Sequence, residues 1–259
     1  MVEDGEICEM SQRKRVLILG GTGDAAELVV KAADIPEVEV ITSLAGRTRQ
    51  PIVPFGNTRI GGFGGIAGLI DYLREQQIEW LIDATHPFAA QISLNAAAAA
   101  AKVGIPHLML IRPAWQPVAG DDWIDVDSNA AAAKVLPGLD QRIFLTIGRQ
   151  ELAAFAHLKT WFLMRMIDPP LSNTLVPLGK VLLDRGPFSL ENERSLLQQY
   201  EIGAIVSKNS GGNATYAKII AARERTIPVV MVQRPVIPTG EKVADVESAI
   251  AWLKNKVSK

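Results

Sequence analysis

The chain has 259 residues and a mass of 28.0 kDa, room for one large or two small domains at roughly 150 residues each. Hydrophobic residues make up 48% and charged residues 21%, which excludes wholesale disorder, and 27 Lys+Arg against 28 Asp+Glu leave a net charge of -1, too little for a nucleic-acid or membrane field. A single cysteine, Cys8, excludes an internal disulfide framework, and His86, His107 and His157 show no metal-ligand spacing, so no metal is expected.

Residues 1–14 carry early acidic residues and no apolar core of a signal peptide; they are expected to be a disordered tail. No later apolar run reaches the roughly 18 to 20 residues of a membrane span, so a soluble cytoplasmic protein is expected. RVLILG (15–20) is an apolar run of strand length, and DAAELVVKAA (24–33) has helical spacing. VEVITSLAG (38–46) reads as a strand, RIGGFGG (59–65) as a glycine-rich passage, and IAGLIDYLREQQ (66–77) as a helix. WLIDAT (80–85) is a buried strand, 89–104 a helix stopped by Gly104 and Pro106, and 107–113 another strand. RPAWQPVAGDDW (112–123) reads as a linker.

The alternation then resumes. Strands are expected at 142–148, 161–167, 180–186, 204–209 and 228–235, and helices at 150–158, 214–225 and 243–256. Ser189 caps a further helix to about Tyr200. Strands apolar on both faces, alternating with helices, argue an α/β fold with mostly parallel sheets. LIDATHPF…VGIPHLMLIRP and AIVSKNSGG…TIPVVMVQRP share the order strand, polar loop, helix, Ile-Pro, strand, Arg-Pro. That echo points to two related halves with a cleft between them, residues 15–118 and 119–259.

LGGTGDAAEL (19–28) carries the chemistry most directly. Gly21-x-Gly23-x-x-Ala26 fits the dinucleotide fingerprint, between a strand and a helix. Gly20, Gly21, Thr22 and Gly23 would bring backbone N–H groups to a pyrophosphate; the plainer reading is a tight turn. Where an acidic residue for an NAD ribose is expected, the sequence continues Ser43, Leu44, Ala45, Gly46 and Arg47, with Arg49 beyond. The guanidinium pairs with phosphate, which favours NADPH over NADH, unless both arginines are solvated surface groups. Gly62 and Phe63 of RIGGFGG could approach a cofactor ring. Asp83, Ala84, Thr85 and His86 end a buried strand, where open α/β sheets bind ligands. His86 and Asp83 are candidate proton donors; the alternative is helix capping and packing.

The second half has its own polar strand ends. Arg149 and Gln150, Arg185 and Gly186, and Lys208, Asn209, Ser210 and Gly211 follow apolar strands. On parallel strands the cations converge on one edge, which suits a substrate bearing several carboxylates or phosphates.

GGTGDAAEL, SLAGRT, RIGGFGG, IDATHPFAAQIS, RPAW, GRQELAAF, RGPF and SKNSGGNATYAK, in this order, resemble the precorrin-6A reductase family of cobalamin biosynthesis, with its cobalt-precorrin-6A counterpart. The resemblance runs from about residue 15 to 235. It implies two Rossmann-like domains and addition of hydride and proton across the C18–C19 double bond of a tetrapyrrole, with a reduced nicotinamide as donor. It also explains a cationic second half, since the substrate carries many carboxylate arms. Asp83, His86, Glu151, Asp168, Asp184 or water remain open as proton source. Other readings are another NAD(P)H-dependent reductase of a polycarboxylate, a non-catalytic NADP-sensing module, or a methyltransferase, against which the two arginines speak.

Overall fold

A computed structural model describes residues 13–46 and 56–258; the expected tail to residue 12, and Arg47 and Arg49, lie outside them. The chain divides into two compact units, one made of residues up to Ile111 and from Ile237 onward, the other of Arg112–Val236. Among the described residues no helix is long and apolar enough to cross a membrane.

The first unit begins with β1 (Lys14–Leu19), so Lys14 belongs to a strand rather than to the tail. Then come α1 (Gly23–Ala33), β2 (Val38–Leu44), β3 (Asn57–Ile60), α2 (Ile66–Glu75), β4 (Trp80–Asp83), α3 (Ala90–Val103) and β5 (His107–Leu110). Side chains alternate across a strand. Val16 and Ile18 of β1 therefore enter one core with Leu28 and Val29 of α1, while Leu17 and Leu19 enter another with Leu69 and Leu73 of α2.

The second unit runs through β6 (Trp123–Val126), α4 (Asn129–Val135), β7 (Arg142–Thr146), β8 (Trp161–Met166), β9 (Gly179–Leu183), α5 (Leu190–Gln199), β10 (Ala204–Lys208), α6 (Ala217–Glu224) and β11 (Val229–Val232). Ser189 caps α5 as expected, its hydroxyl accepting from Asn192 N. Where a helix was expected at 150–158, the chain forms a 3-10 helix over Arg149–Phe155, seven residues long and without a side-chain cap. The chain then supplies β12 (Glu241–Val243) and α7 (Val246–Val257) to the first unit.

Both sheets have six strands, and every pairing is parallel. The orders are β3-β2-β1-β4-β5-β12 and β9-β8-β7-β10-β11-β6, the same doubly wound arrangement twice. The echoed sequences occupy equivalent places, β4 and β5 in one sheet, β10 and β11 in the other. The sixth strand breaks the repeat: the first sheet takes it from the chain's end, the second from its own beginning.

This corrects the expected division at 118/119, which gave 119–259 to the second domain. The outer edge of β5 is completed by β12, Glu241 to Val243 facing Leu108 to Leu110. α7 buries Val246, Ala249 and Leu253 in the core of Val16, Ile18 and Leu28. Helical spacing marks α7 as amphipathic but says nothing of which sheet it covers.

Candidate functional site

The first sheet's carboxyl edge borders a cavity of about 370 Å3. Four loops wall it: Gly20 and Gly21 after β1, Ser43 to Gly46 after β2, the Gly61–Gly65 passage after β3, and Thr85 and His86 after β4; Gln91, Ile92 and Asn95 of α3 complete it. The loops are held in sheet register, since Gly20 N donates to Ser43 O (2.9 Å), Gly61 N to Leu44 O (2.8 Å) and Ala84 N to Leu19 O (2.9 Å). Gly21 has φ of 110°, a conformation open to glycine, and no atom lies within 4 Å of where its Cβ would stand.

Of the residues read as cofactor-binding, Gly20, Gly21, Ser43, Leu44, Ala45, Gly46, Gly62, Phe63, Thr85 and His86 line this cavity. Thr22 and Gly23 stand at the head of α1. The Thr22 hydroxyl caps α1 by accepting from Ala25 N (3.0 Å) and donates to Ala84 O (2.9 Å), fastening the first loop to the end of β4. Asp83 and Ala84 are buried and do not line the cavity. One Asp83 carboxylate oxygen accepts from both Thr85 N (3.0 Å) and Thr85 Oγ1 (2.6 Å). The carboxylate thus orients Thr85. His86 Nδ1 accepts from Phe88 N at 3.2 Å, so a neutral ring carries its proton on Nε2. His107, on β5, is held below the usual imidazole range by burial, against the opposing effect of Asp83.

Arg59 is a residue the sequence reading passed over. From β3 it donates to Ser43 Oγ (3.0 Å), Gly61 O (2.9 Å) and Gly62 O (3.0 Å), and its guanidinium lies 3.9 Å from the Phe63 ring centroid. One side chain therefore fixes the glycine passage against the end of β2. Its position in RIGGFGG was visible; that it turns back on its own loop was not. Gly68 was also missed. A Cβ there would stand 1.8 Å from Phe63 O, so the loop folds tightly onto α2.

In the second unit, Arg149 and Arg185 follow the carboxyl ends of β7 and β9, and Lys208 is the last residue of β10, all parallel strands. Arg149 Nη1 donates to Pro169 O (3.1 Å), and Lys208 Nζ lies 3.7 Å from Glu151 Oε1. Gln150 is exposed within the 3-10 helix, and Gly186 follows Arg185 in a loop tied to the next by the Phe188 N to Ala214 O bond (3.0 Å). Asn209, Ser210 and Gly211 form a latch. Asn209 is buried, its Oδ1 accepting from Trp115 N (2.8 Å) and its Nδ2 donating to Trp115 O (3.0 Å). Ser210 O accepts from Arg112 Nε (2.9 Å) and Arg234 Nη2 (3.0 Å), and a Cβ on Gly211 would stand 2.0 Å from Pro113 O. The polar groups of this loop bind the Arg112–Trp115 segment, which its sequence does not reveal.

Comparison with known proteins gives one family. Residues 15–254 match the family described as "Precorrin-6x reductase CbiJ/CobK". A precorrin-6A reductase of Rhodococcus erythropolis is 51% identical over 92% of this chain and 97% of its own length. That of Mycobacterium tuberculosis is 44% identical over 92% and 97%, and a cobalt-precorrin-6A reductase of Priestia megaterium 29% over 93% and 98%. A solved structure, "CobK precorrin-6A reductase", superposes with a TM-score of 0.87 at 41% identity, covering 93% of this chain and 96% of that one.

Proposed function

This chain belongs to the precorrin-6x reductase family CbiJ/CobK, a reductase of cobalamin biosynthesis, and from that premise we propose how its residues divide the reduction of precorrin-6A. The metal-free substrate is favoured over the cobalt form because identity is 51% to a precorrin-6A reductase and 29% to a cobalt-precorrin-6A reductase.

We infer that the first unit holds NADPH. The observation that carries this is the cavity at the carboxyl ends of β1, β2, β3 and β4, whose loops bring seven glycines to its wall, Gly20, Gly21, Gly46, Gly61, Gly62, Gly64 and Gly65. Such a wall lets backbone N–H groups reach a pyrophosphate, and the positive end of α1 favours its charge. The cofactor, when bound, supplies the hydride. The Thr85 hydroxyl donates a hydrogen bond to Asp83, which leaves its oxygen lone pairs to accept from a ligand hydroxyl or amide at the cavity. His86 carries its proton on Nε2 at the same cavity, where it donates a hydrogen bond that orients a ligand or a water. Because Nδ1 accepts from Phe88 N and the ring is neutral, we assign the proton for the second carbon of the C18–C19 bond to a water that His86 positions. Asp83 positions Thr85 rather than meeting substrate. Arg47, with Arg49 in reserve, is assigned to the 2′-phosphate. Arg149, Arg185 and Lys208 of the second unit are assigned to carboxylate arms of the substrate.

The test is loss of NADPH absorbance on addition of precorrin-6A, with the cobalt-bearing form in parallel. Turnover of neither substrate would sink the assignment. A charge-assisted contact to phosphate contributes about 1.5–3 kcal/mol, or roughly 10- to 150-fold. Arg47→Ala is therefore expected to lose NADPH affinity by about that factor while NADH affinity barely moves. An NADPH/NADH ratio unchanged in the Arg47→Ala/Arg49→Ala double variant would remove this strand end from cofactor choice.

A further inference from the structure

We propose that Arg165, Glu193 and Lys218, buried together in the second unit, are positioning residues that hold loops 185–188 and 213–216 in the arrangement that receives the carboxylate arms of the substrate. The inference rests on the reading that the second unit takes precorrin-6A. Among the described residues four charged residues are buried; Asp83 belongs to the first unit, and the other three, at 7%, 1% and 3% exposure, are these. Arg165 is the fifth residue of β8, Glu193 lies in the first turn of α5, and Lys218 is the second residue of α6. Leu163, two residues before Arg165, enters a core with Phe144, Leu197 of α5 and Ile219 of α6, so Arg165 follows it onto the face that these helices cover. There Arg165 Nη1 pairs with Glu193 Oε1. Its guanidinium lies 3.5 Å from the Phe188 ring centroid and 4.8 Å from that of Phe144. Lys218 Nζ donates to Thr215 O (2.9 Å) and lies 4.9 Å from the Trp115 ring centroid.

The cluster thus grips one loop through Phe188 and the other through Thr215. The loops are also bonded to each other, Phe188 N donating to Ala214 O (3.0 Å). A Cβ on Gly186 would stand 3.3 Å from both Ala214 O and the Phe188 ring, so Arg185 enters a closely packed turn. Trp115 Nε1 donates to Gly212 O (2.8 Å), just before the second loop. Buried ions stabilise a fold no better than apolar groups of the same volume, and Glu193 Oε2 accepts no hydrogen bond among the described residues. Packing alone gives no reason for three charges here. Burial, helped by Arg165 of β8 and opposed by Glu193 of α5, brings the Lys218 pKa down to about 7. The neighbouring charges have partners of their own: Arg112 donates to Ser210 O, Arg223 to Asp121 and the Tyr216 hydroxyl, and Arg194 to Glu224. Asp184 and Arg185 are exposed in the loop. Carboxylates arriving at these loops favour the charged amine, so binding draws a proton onto Lys218. Affinity is then full below pH 7 and falls as pH rises above it.

The test uses the full chain with precorrin-6A and NADPH, from about pH 6 to about pH 9. In the wild type the KM for precorrin-6A is expected to rise about five- to tenfold as pH passes upward through 7. Lys218→Met should raise that KM by about the same factor at pH 6 and flatten its pH profile, so that the two proteins converge near pH 9. The NADPH KM should not move. Phe188→Leu, which takes the ring from the Arg165 guanidinium, should raise the precorrin-6A KM about fivefold at every pH and keep the profile. Urea titrations of both variants, run in parallel, separate a change in KM from a loss of fold. If Lys218→Met and Phe188→Leu keep the wild-type KM and profile while Arg185→Gln raises the KM, the cluster is a core element only; the inference is wrong and the cationic site stands. If Arg185→Gln leaves the KM unmoved as well, the assignment of substrate to the second unit falls with it. A KM for NADPH that rises in step with that for precorrin-6A in Lys218→Met also overturns the inference, since positioning of the substrate loops would spare the cofactor.

Discussion

Gly23 opens α1 with no atom within 4 Å of the place its Cβ would occupy, so Gly23→Val should fold normally. Its methyls would project where a pyrophosphate approaches the helix end. We expect a stability change within about 1 kcal/mol and at least a tenfold loss of NADPH affinity by titration; retained affinity would place the pyrophosphate elsewhere. Lys218 shows a buried charge with a different consequence. It sits at 3% exposure, donating to Thr215 O (2.9 Å), its Nζ 4.9 Å from the Trp115 ring centroid. Burial, helped by the charge of Arg165 and opposed by Glu193, pushes its pKa down to about 7 from 10.5. The unfolded chain binds this proton below about 10.5, the folded chain only below about 7. Stability is therefore reduced in full below pH 7 and recovers as pH rises from 7 toward 10.5. Lys218→Met should raise stability at pH 7 by about 1–4 kcal/mol, and the gain should shrink at pH 9. Urea titrations at both pH values measure it, and a gain independent of pH would assign it to packing alone.

At the scale of elements, the apolar segments were legible and the polar ones on sheet edges were not. RVLILG and WLIDAT gave strands at their expected places because both alternating faces are apolar. β3 (NTRI), β6 (WIDV) and β12 (EKV) match β4 in length to within a residue but lack its run of residues apolar on both faces, and each is a strand because a neighbouring edge completes its hydrogen bonds. α7 makes the point energetically. Leu253 is fully buried against the core of the first unit, not the second. Leu253→Ala should cost about 2–5 kcal/mol, read in urea. The loss should appear in the unit proposed to hold the cofactor, so NADPH is expected to protect the variant and the wild type alike.

Across the whole molecule, each unit has its own six-stranded sheet and its own core, and the proposed ligands divide between them. Hydrogen exchange should show that division. NADPH at a hundredfold excess over its Kd should slow amides of β1, β2 and β4 that open with global unfolding of the first unit by up to about 2.7 kcal/mol. Precorrin-6A should act on the loops after β7, β8 and β9. Protection of only the second sheet by NADPH would reverse the assignment.

The sequence by itself determined the α/β class, the parallel strands, the glycine turn after β1 and the edge on which the polar loops gather. All of these follow from local patterning: apolar runs of strand length, helical spacing, and glycines where a strand turns into a helix. The four-walled cavity was also foreseeable in its members, because loops at carboxyl ends of parallel strands must lie together. Tertiary structure alone decided what those residues do to one another. Asp83 is spent on Thr85, Thr22 on Ala84, and Asn209 on both backbone groups of Trp115, each a hydrogen bond that burial demands. Arg59 and Lys218 read as ordinary charges in the chain, yet one binds the glycine passage and the other lies beneath Trp115. The return of β12 and α7 to the first sheet rests on the same ground: an open strand edge and an apolar helix face find whatever completes them, across more than a hundred intervening residues, and no local pattern records that distance.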